Sequence, residues 1–178
     1  MADPTPFERL QPCLLDRLTD DEPDKREESR TQRVVSHQKY RRGVLRDLDW
    51  LFNTSAFLPT TVANWLRPDS DSDAPPLIDL RKYPEAWKSV INFGVRQLTG
   101  RMSPDLVELQ DALAEAIAVF EPRMFARSLT IVANVDRNFL IFDIQGDLWA
   151  NPIPEHLHLR TNVDFETGEC LLGDAPNG

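Results

Sequence analysis

His156 and His158 stand two residues apart in "EHLHLRTNV". In a strand that spacing puts both imidazoles on one face, where they can chelate a metal. A zinc site needs at least one more protein ligand, and neither Cys13 nor Cys170, near opposite ends of the chain, is brought to the pair by local sequence. The two residues read as solvent-face histidines, and no metal or other cofactor is expected. Paired carboxylates are the next chemistry to weigh. A glycosidase needs two of them flanking the sugar, one held protonated. Asp and Glu total 29, but abundance is not pairing, and no short motif singles out a pair. Glu121 alone has a distinctive setting. A carboxylate beside an arginine favours its charged form, the wrong tendency for a general acid. The chain contains no G-x-S-x-G, P-loop, dinucleotide fingerprint or H-E-x-x-H. No catalytic residue is assigned, and the protein is not expected to be an enzyme.

That distinctive setting is "FEPRM", residues 120–124. A negative side chain at a helix C-terminus opposes the helix dipole at a cost of about 0.3–1 kcal/mol, so Glu121 implies a compensating partner. Pro122 ends the helix, and the residue before a proline favours extended geometry. In an extended run positions i and i+2 share a side, which predicts Glu121 and Arg123 side by side: a carboxylate acceptor and a planar donor fork on a stiff mount. Two readings follow from the residues. One is a local cap, with Arg123 bonding the last helix carbonyls and Glu121 pairing with it. The other is a docking site for another protein, built from Glu121, Pro122 and Arg123.

The elements that position this triplet are legible by period. Leu106, Leu109, Leu113, Ala116, Ile117 and Phe120 recur at helical spacing, with Ser103 as N-cap, Pro104 at the first position and Asp105 in the first turn, which predicts a helix over 104–120. Upstream, Val34, Val35, Val44, Leu45, Leu48, Leu51 and Phe52 mark a long amphipathic helix, with Gly43 inside it at a close approach or bend. Between the two, Pro84 opens a short helix with Trp87, Val90, Ile91 and Phe93 on one face, closed by Gly94. Near the start, Leu14, Leu15 and Leu18 form an apolar set in a short segment from Cys13 to Leu18, followed by an acidic loop. "RPDSDSDAPP" reads as an exposed loop.

After Pro122 the period changes to two. Leu129, Ile131, Ala133 and Val135 alternate with polar residues, Leu140, Phe142 and Ile144 line one face of the next run, and "VDRN" between them has hairpin chemistry. Leu157, Leu159 and Val163 oppose His156, His158, Arg160 and Asn162, and "FETGECLL" turns through Gly168 into a fourth strand. The class is α+β, with N-terminal helices packed on a small C-terminal antiparallel β-sheet. The expected organisation is an N-terminal segment over 1–29, one α+β domain over 30–173 and a disordered tail over 174–178, since 178 residues suit one domain.

A net charge of −9 speaks against nucleic acid as a partner and against a polybasic membrane anchor. The charge is uneven: Lys25 to Arg46 holds eight basic residues against Glu27 and Glu28, a net of +6, leaving −15 elsewhere. Such a run is a solvated helix face or a face for an acidic partner. The first residues lack the pattern of a signal peptide, and no run approaches the ~20 apolar residues of a membrane span. Cytoplasm is the expected location.

Taken in order, "LLDRLTDDEP", "LDWLFNT", "YPEAWKSVINFG", "FEPR" and "VDFETGE" resemble the TssE family, the baseplate-wedge subunits of type VI secretion systems, which belong with phage baseplate-wedge proteins long labelled lysozyme-like. The similarity runs from about Leu14 to Glu169. It implies a cytoplasmic structural protein that joins TssF- and TssG-like wedge subunits through Glu121, Pro122 and Arg123, contacts other baseplate components, and helps to seed the contractile sheath through its sheet. Leu14, Leu15 and Leu18 are the second contact candidate. Leu15 stands where relatives carry an aromatic, and the Asp/Ser/Pro loop is longer than theirs. The competing reading, a peptidoglycan-degrading lysozyme-like enzyme, would need the carboxylate pair that the residues do not offer.

Overall fold

The last four runs form one antiparallel sheet. In a computed structural model that describes residues 13–19, 24, 35–56, 80–95, 105–150, 153–164 and 166–175, strands β1 (Thr130–Asp136), β2 (Phe139–Leu148), β3 (Glu155–Asp164) and β4 (Cys170–Asp174) lie in the order β1-β2-β3-β4. Arg137 and Asn138 make the β1–β2 turn, Arg137 at φ 54°. The register sets Leu140 opposite Val163 and Ile144 opposite Leu159. Leu140, Phe142, Ile144, Leu148, Leu157, Leu159 and Val163 are all fully buried on the face that the helices cover. Thr161, a polar residue, shares that face. Its hydroxyl has no ordinary hydrogen bond among the described residues, and only the weak thiol of Cys170 on β4 lies close enough to interact with it. β4 carries the chain through Asp174, and the Ala175 amide donates to His158 O (3.2 Å), two residues into the stretch expected as a tail.

Helix α1 is Leu14–Leu18, α2 His37–Phe52, α3 Pro84–Trp87 and α4 Leu106–Phe120. Ser36 caps α2 by accepting the Lys39 amide at 3.2 Å. Val35 before it and Tyr40 after it are both buried, the positions of a hydrophobic staple. Val44, Leu48 and Leu51 of α2, with Leu113 and Ile117 of α4, fill the core above the sheet. The C-terminus of α2 is tied to the sheet by one side chain. Asn53 Nδ2 donates to Cys170 O and Asn53 Oδ1 accepts the Cys170 amide, both at 3.0 Å, as a neighbouring strand would.

Three expected helix boundaries are corrected. The long helix expected to take in Val34 and Val35 begins only at His37, behind the Ser36 cap, so Val35 precedes it, and Val34 lies outside the described residues. The cap of α4 is Asp105, whose carboxylate accepts the Val107 and Glu108 amides; Ser103 and Pro104 lie outside the described residues, as do the Asp/Ser/Pro loop and the acidic stretch after α1 apart from Asp24. The short helix after Pro84 does not run on to Phe93. Ser89 interrupts it: its hydroxyl donates to Ala86 O and accepts the Ile91 amide, starting a separate 3-10 turn over Val90–Asn92. Val90 and Ile91 therefore point outward, Val90 at 86% exposure, while Asn92 is buried with its Nδ2 on Trp87 O at 2.9 Å. Gly94 is not a helix cap. At φ 126° it lets Val95 pair with the strand-like stretch Thr54–Ala56, and a Cβ there would lie 2.3 Å from Thr54 O.

Candidate partner-docking site

At the end of α4 the Glu121 amide still bonds Ile117 O at 2.8 Å, and its carbonyl then accepts the Met124 amide at 3.1 Å, so Glu121 to Met124 is a tight turn. Pro122 at its second position supplies the fixed φ that such a turn needs. This corrects the expected extended mount. The side chains meet, but through the turn: Glu121 Oε1 accepts the Arg123 amide at 3.2 Å and Arg123 Nε at 2.6 Å, and Glu121 Oε2 takes Nη2. The pairing is bidentate and the strongest geometry available to the two groups.

Burial divides their roles. Glu121 is 2% exposed, so its carboxylate is spent inside its own chain and is not an acceptor for a neighbour. The Arg123 side chain keeps 20% exposure, and Pro122 is exposed. What the triplet presents outward is the exposed Pro122 and a minor part of the Arg123 side chain. Nor does Arg123 follow the capping reading as framed: its guanidinium goes to Glu121 and, through Nη2, to Asp47 Oδ2 at 2.6 Å. Burial alone would weaken the hold of Arg123 on its proton. Glu121 and Asp47 more than reverse that, so it stays charged at any accessible pH.

The frame around the turn is stiff. Trp149 N donates to Arg123 O at 2.7 Å and Phe125 N to Asp147 O at 2.9 Å, stitching the segment to the end of β2. Tyr40 of α2 donates its hydroxyl to Trp149 O at 2.8 Å. Gly146 is also close to the turn, its would-be Cβ falling 2.9 Å from Met124 Cε.

Asp47 leads onward. Its Oδ1 accepts Arg46 Nε at 3.0 Å, and Arg46 Nη1 reaches Asp16 Oδ1 on α1 at 2.6 Å while Nη2 contacts Cys13 Sγ at 3.1 Å. Burial raises the Asp16 carboxyl, but hydrogen bonds from Arg46 and Cys13 outweigh it and hold the group below the ordinary aspartate value. Gly43 of α2 lies beneath both ends of this chain, its would-be Cβ 3.3 Å from Asp16 Oδ2 and 3.8 Å from Arg123 Nη1, the close approach its position suggests. Sequence reasoning names none of Asp16, Arg46 or Asp47 as site residues. Arg46 belongs to the basic run, which the structure spends partly inside the protein: Arg41 also pairs with Glu155 at 3.2 Å.

The leucines of α1 are outside this network. Leu14 and Leu18 are 71% and 74% exposed, Leu15 somewhat less. The short helix is held by its polar side and turns its apolar side out. His156 and His158 occupy the outer sheet face, His156 beside Asp147 (2.9 Å) and His158 beside Gln145 (3.4 Å). No group of three or more His, Cys, Asp or Glu among the described residues is arranged to hold a metal. A shallow hollow between α3 and α4 is lined by Trp87, Asn92 and Ala116 among others, and its carboxylate, Glu115, accepts Trp87 Nε1 at 2.8 Å. No helix among the described residues is long and apolar enough to cross a membrane.

Compared with known families, residues 38–153 match the family model described as baseplate wedge protein gp25. That span runs from α2 to the end of β2 and includes the Glu121–Arg123 turn. No curated protein and no solved structure matches the chain.

Proposed function

Because the chain belongs to the baseplate wedge protein gp25 family, a phage-like structural component of baseplates, we propose that it is the corresponding subunit of a type VI secretion machine. In this reading it works in the cytoplasm, joins TssF- and TssG-like wedge subunits and helps to initiate the contractile sheath. The observation that carries it is the family match across 38–153, which takes in the helices and hairpin that frame the turn. Within that frame Pro122 and the partly exposed Arg123 are the contact, and Glu121 is the buried group that aims the guanidinium. A charged fork already desolvated and oriented loses little entropy on binding, so a partner carboxylate or carbonyl can be gripped specifically. Leu14, Leu15 and Leu18 supply a second, apolar contact. β1 and β4 are the edge strands of the sheet. The outer edge of β1, and that of β4 beyond Cys170, whose own groups Asn53 takes, can extend a sheath subunit's sheet through main-chain bonds, and added hydrogen-exchange protection there on sheath binding is the expected sign.

The muralytic alternative finds less support. Its two carboxylates would have to face a sugar-sized cleft, whereas Glu121 and Asp47 both close on Arg123, and the hollow at α3 brings Glu115 in contact with an indole. Affinity capture of the tagged chain from its native cell tests the proposal. Recovery of wedge and sheath subunits is expected. Peptidoglycan turnover by the purified chain, abolished by one carboxylate substitution, would overturn it.

A further inference from the structure

Five side chains of alternating sign connect the N-terminal helix to the docking turn: Asp16, Arg46, Asp47, Arg123 and Glu121. Each interior member is shared. Arg46 divides between Asp16 and Asp47, and Asp47 gives Oδ1 to Arg46 and Oδ2 to Arg123. At the buried end Glu121 anchors Arg123; at the other end lies α1, five residues long and too short to be stable unaided. Its leucines are largely exposed, and among the described residues Asp16 and Cys13 on Arg46 tether it to α2.

We propose that α1 is a releasable arm whose grip is set by what Arg123 is bonded to. This rests on the reading of the turn as the docking site. When a partner's carboxylate bonds the partly exposed Arg123, the pull of Arg123 on Asp47 weakens. Asp47 then competes more strongly for Arg46, and Asp16 loses part of its hold on it. Seating of an acidic partner on the turn thereby loosens α1 and its leucine face for a second contact. The partner chemistry is a carboxylate side chain, complementary to the one cation of the turn that reaches solvent.

The two cysteines make this measurable on the isolated full chain, with no partner present. Cys13 sits in the tether, half exposed, while Cys170 is buried with its thiol pushed up to about 12 by burial first and Asp49 second. Labelling of the native protein by a maleimide therefore reports Cys13. The rate is taken from its high-pH plateau, so that a change in thiol acidity does not count as a change in access. Asp16→Asn is expected to speed labelling by about two- to fivefold, the scale of one partly exposed ion pair. Asp47→Asn removes the competitor for Arg46 and is expected to slow labelling by about twofold. A tether that is merely structural would be loosened by both changes. Faster or unchanged labelling in Asp47→Asn, or an unchanged rate in Asp16→Asn, overturns the proposal and leaves the docking role of the turn untouched.

Discussion

Truncation of Arg123 to Ala strands Glu121 in the protein interior. The Glu121 side chain has 3% exposure, and Arg123 supplies three of its hydrogen bonds, two from the guanidinium and one from the amide. Only the amide bond survives the substitution. Removing one partner of a buried ion pair costs about 3–5 kcal/mol, because the remaining charge stays desolvated. The Arg123 side chain is one-fifth exposed, so water can reach part of the vacated space. The expected loss is therefore about 2–4 kcal/mol, a large share of the ~5–15 kcal/mol that folds a typical domain. Urea unfolding followed by far-UV circular dichroism measures it, at an unchanged slope against urea if the folded state is intact. Adding Glu121→Gln removes the stranded charge, and the double variant is expected to regain at least half of the loss. A cost under about 1 kcal/mol for Arg123→Ala, or a double variant no more stable than the single, would refute the account of Glu121 as a buried anchor. The same geometry rules out Arg123→Glu as a docking probe, since it would gather three carboxylates with Glu121 and Asp47 and unfold the turn whether or not a partner binds there. Arg123→Lys keeps the charge and loses the fork.

Other consequences concern the frame. Thr161→Val exchanges a fully buried hydroxyl, with only the weak Cys170 thiol beside it, for a methyl of the same shape and is expected to be neutral or to stabilise by up to about 1 kcal/mol in the same urea assay; a clearly destabilised variant would mean the hydroxyl is bonded after all. Gly94→Ala forces a Cβ to 2.3 Å from Thr54 O at φ 126° and should cost about 2–4 kcal/mol, read as a fall in Tm of several degrees. Cys170 gives a pH signature. Its folded thiol is raised to about 12, against ~8.5 when unfolded, so its contribution is fully present below the unfolded value and is lost as pH rises toward the folded one. Wild type should lose more stability than Cys170→Ala between about pH 8.5 and 11, and equal losses would contradict the burial of that thiol.

The fold was readable wherever burial is one-sided. Alternation placed Leu140, Phe142, Ile144, Leu157, Leu159 and Val163 on the covered sheet face because a pleated strand leaves no other way to bury them. The same alternation puts Thr161 on the covered face, where it is fully buried although its residue type argues for the polar one. Helical spacing found α2 and α4 but extended the α3 region too far, since Val90 and Ile91 fit an apolar stripe that Ser89 breaks by bonding the backbone itself. In the site, the adjacency of Glu121 and Arg123 follows from local sequence, although the turn that achieves it differs from the extended run expected. Burial of Glu121 does not follow, nor does Asp47, 76 positions away in the chain from Arg123. Long-range partners of that kind leave no periodic trace.

In the proposed role, the outward side of the Glu121–Met124 turn meets another baseplate subunit. A photo-reactive amino acid at position 122, where the side chain is exposed, tests it inside the assembled machine, with the same group at the exposed hairpin residue Arg137 as comparison. The account predicts a covalent adduct to a wedge subunit from position 122 in cells that assemble the baseplate. Assembly without any adduct from position 122 would contradict it.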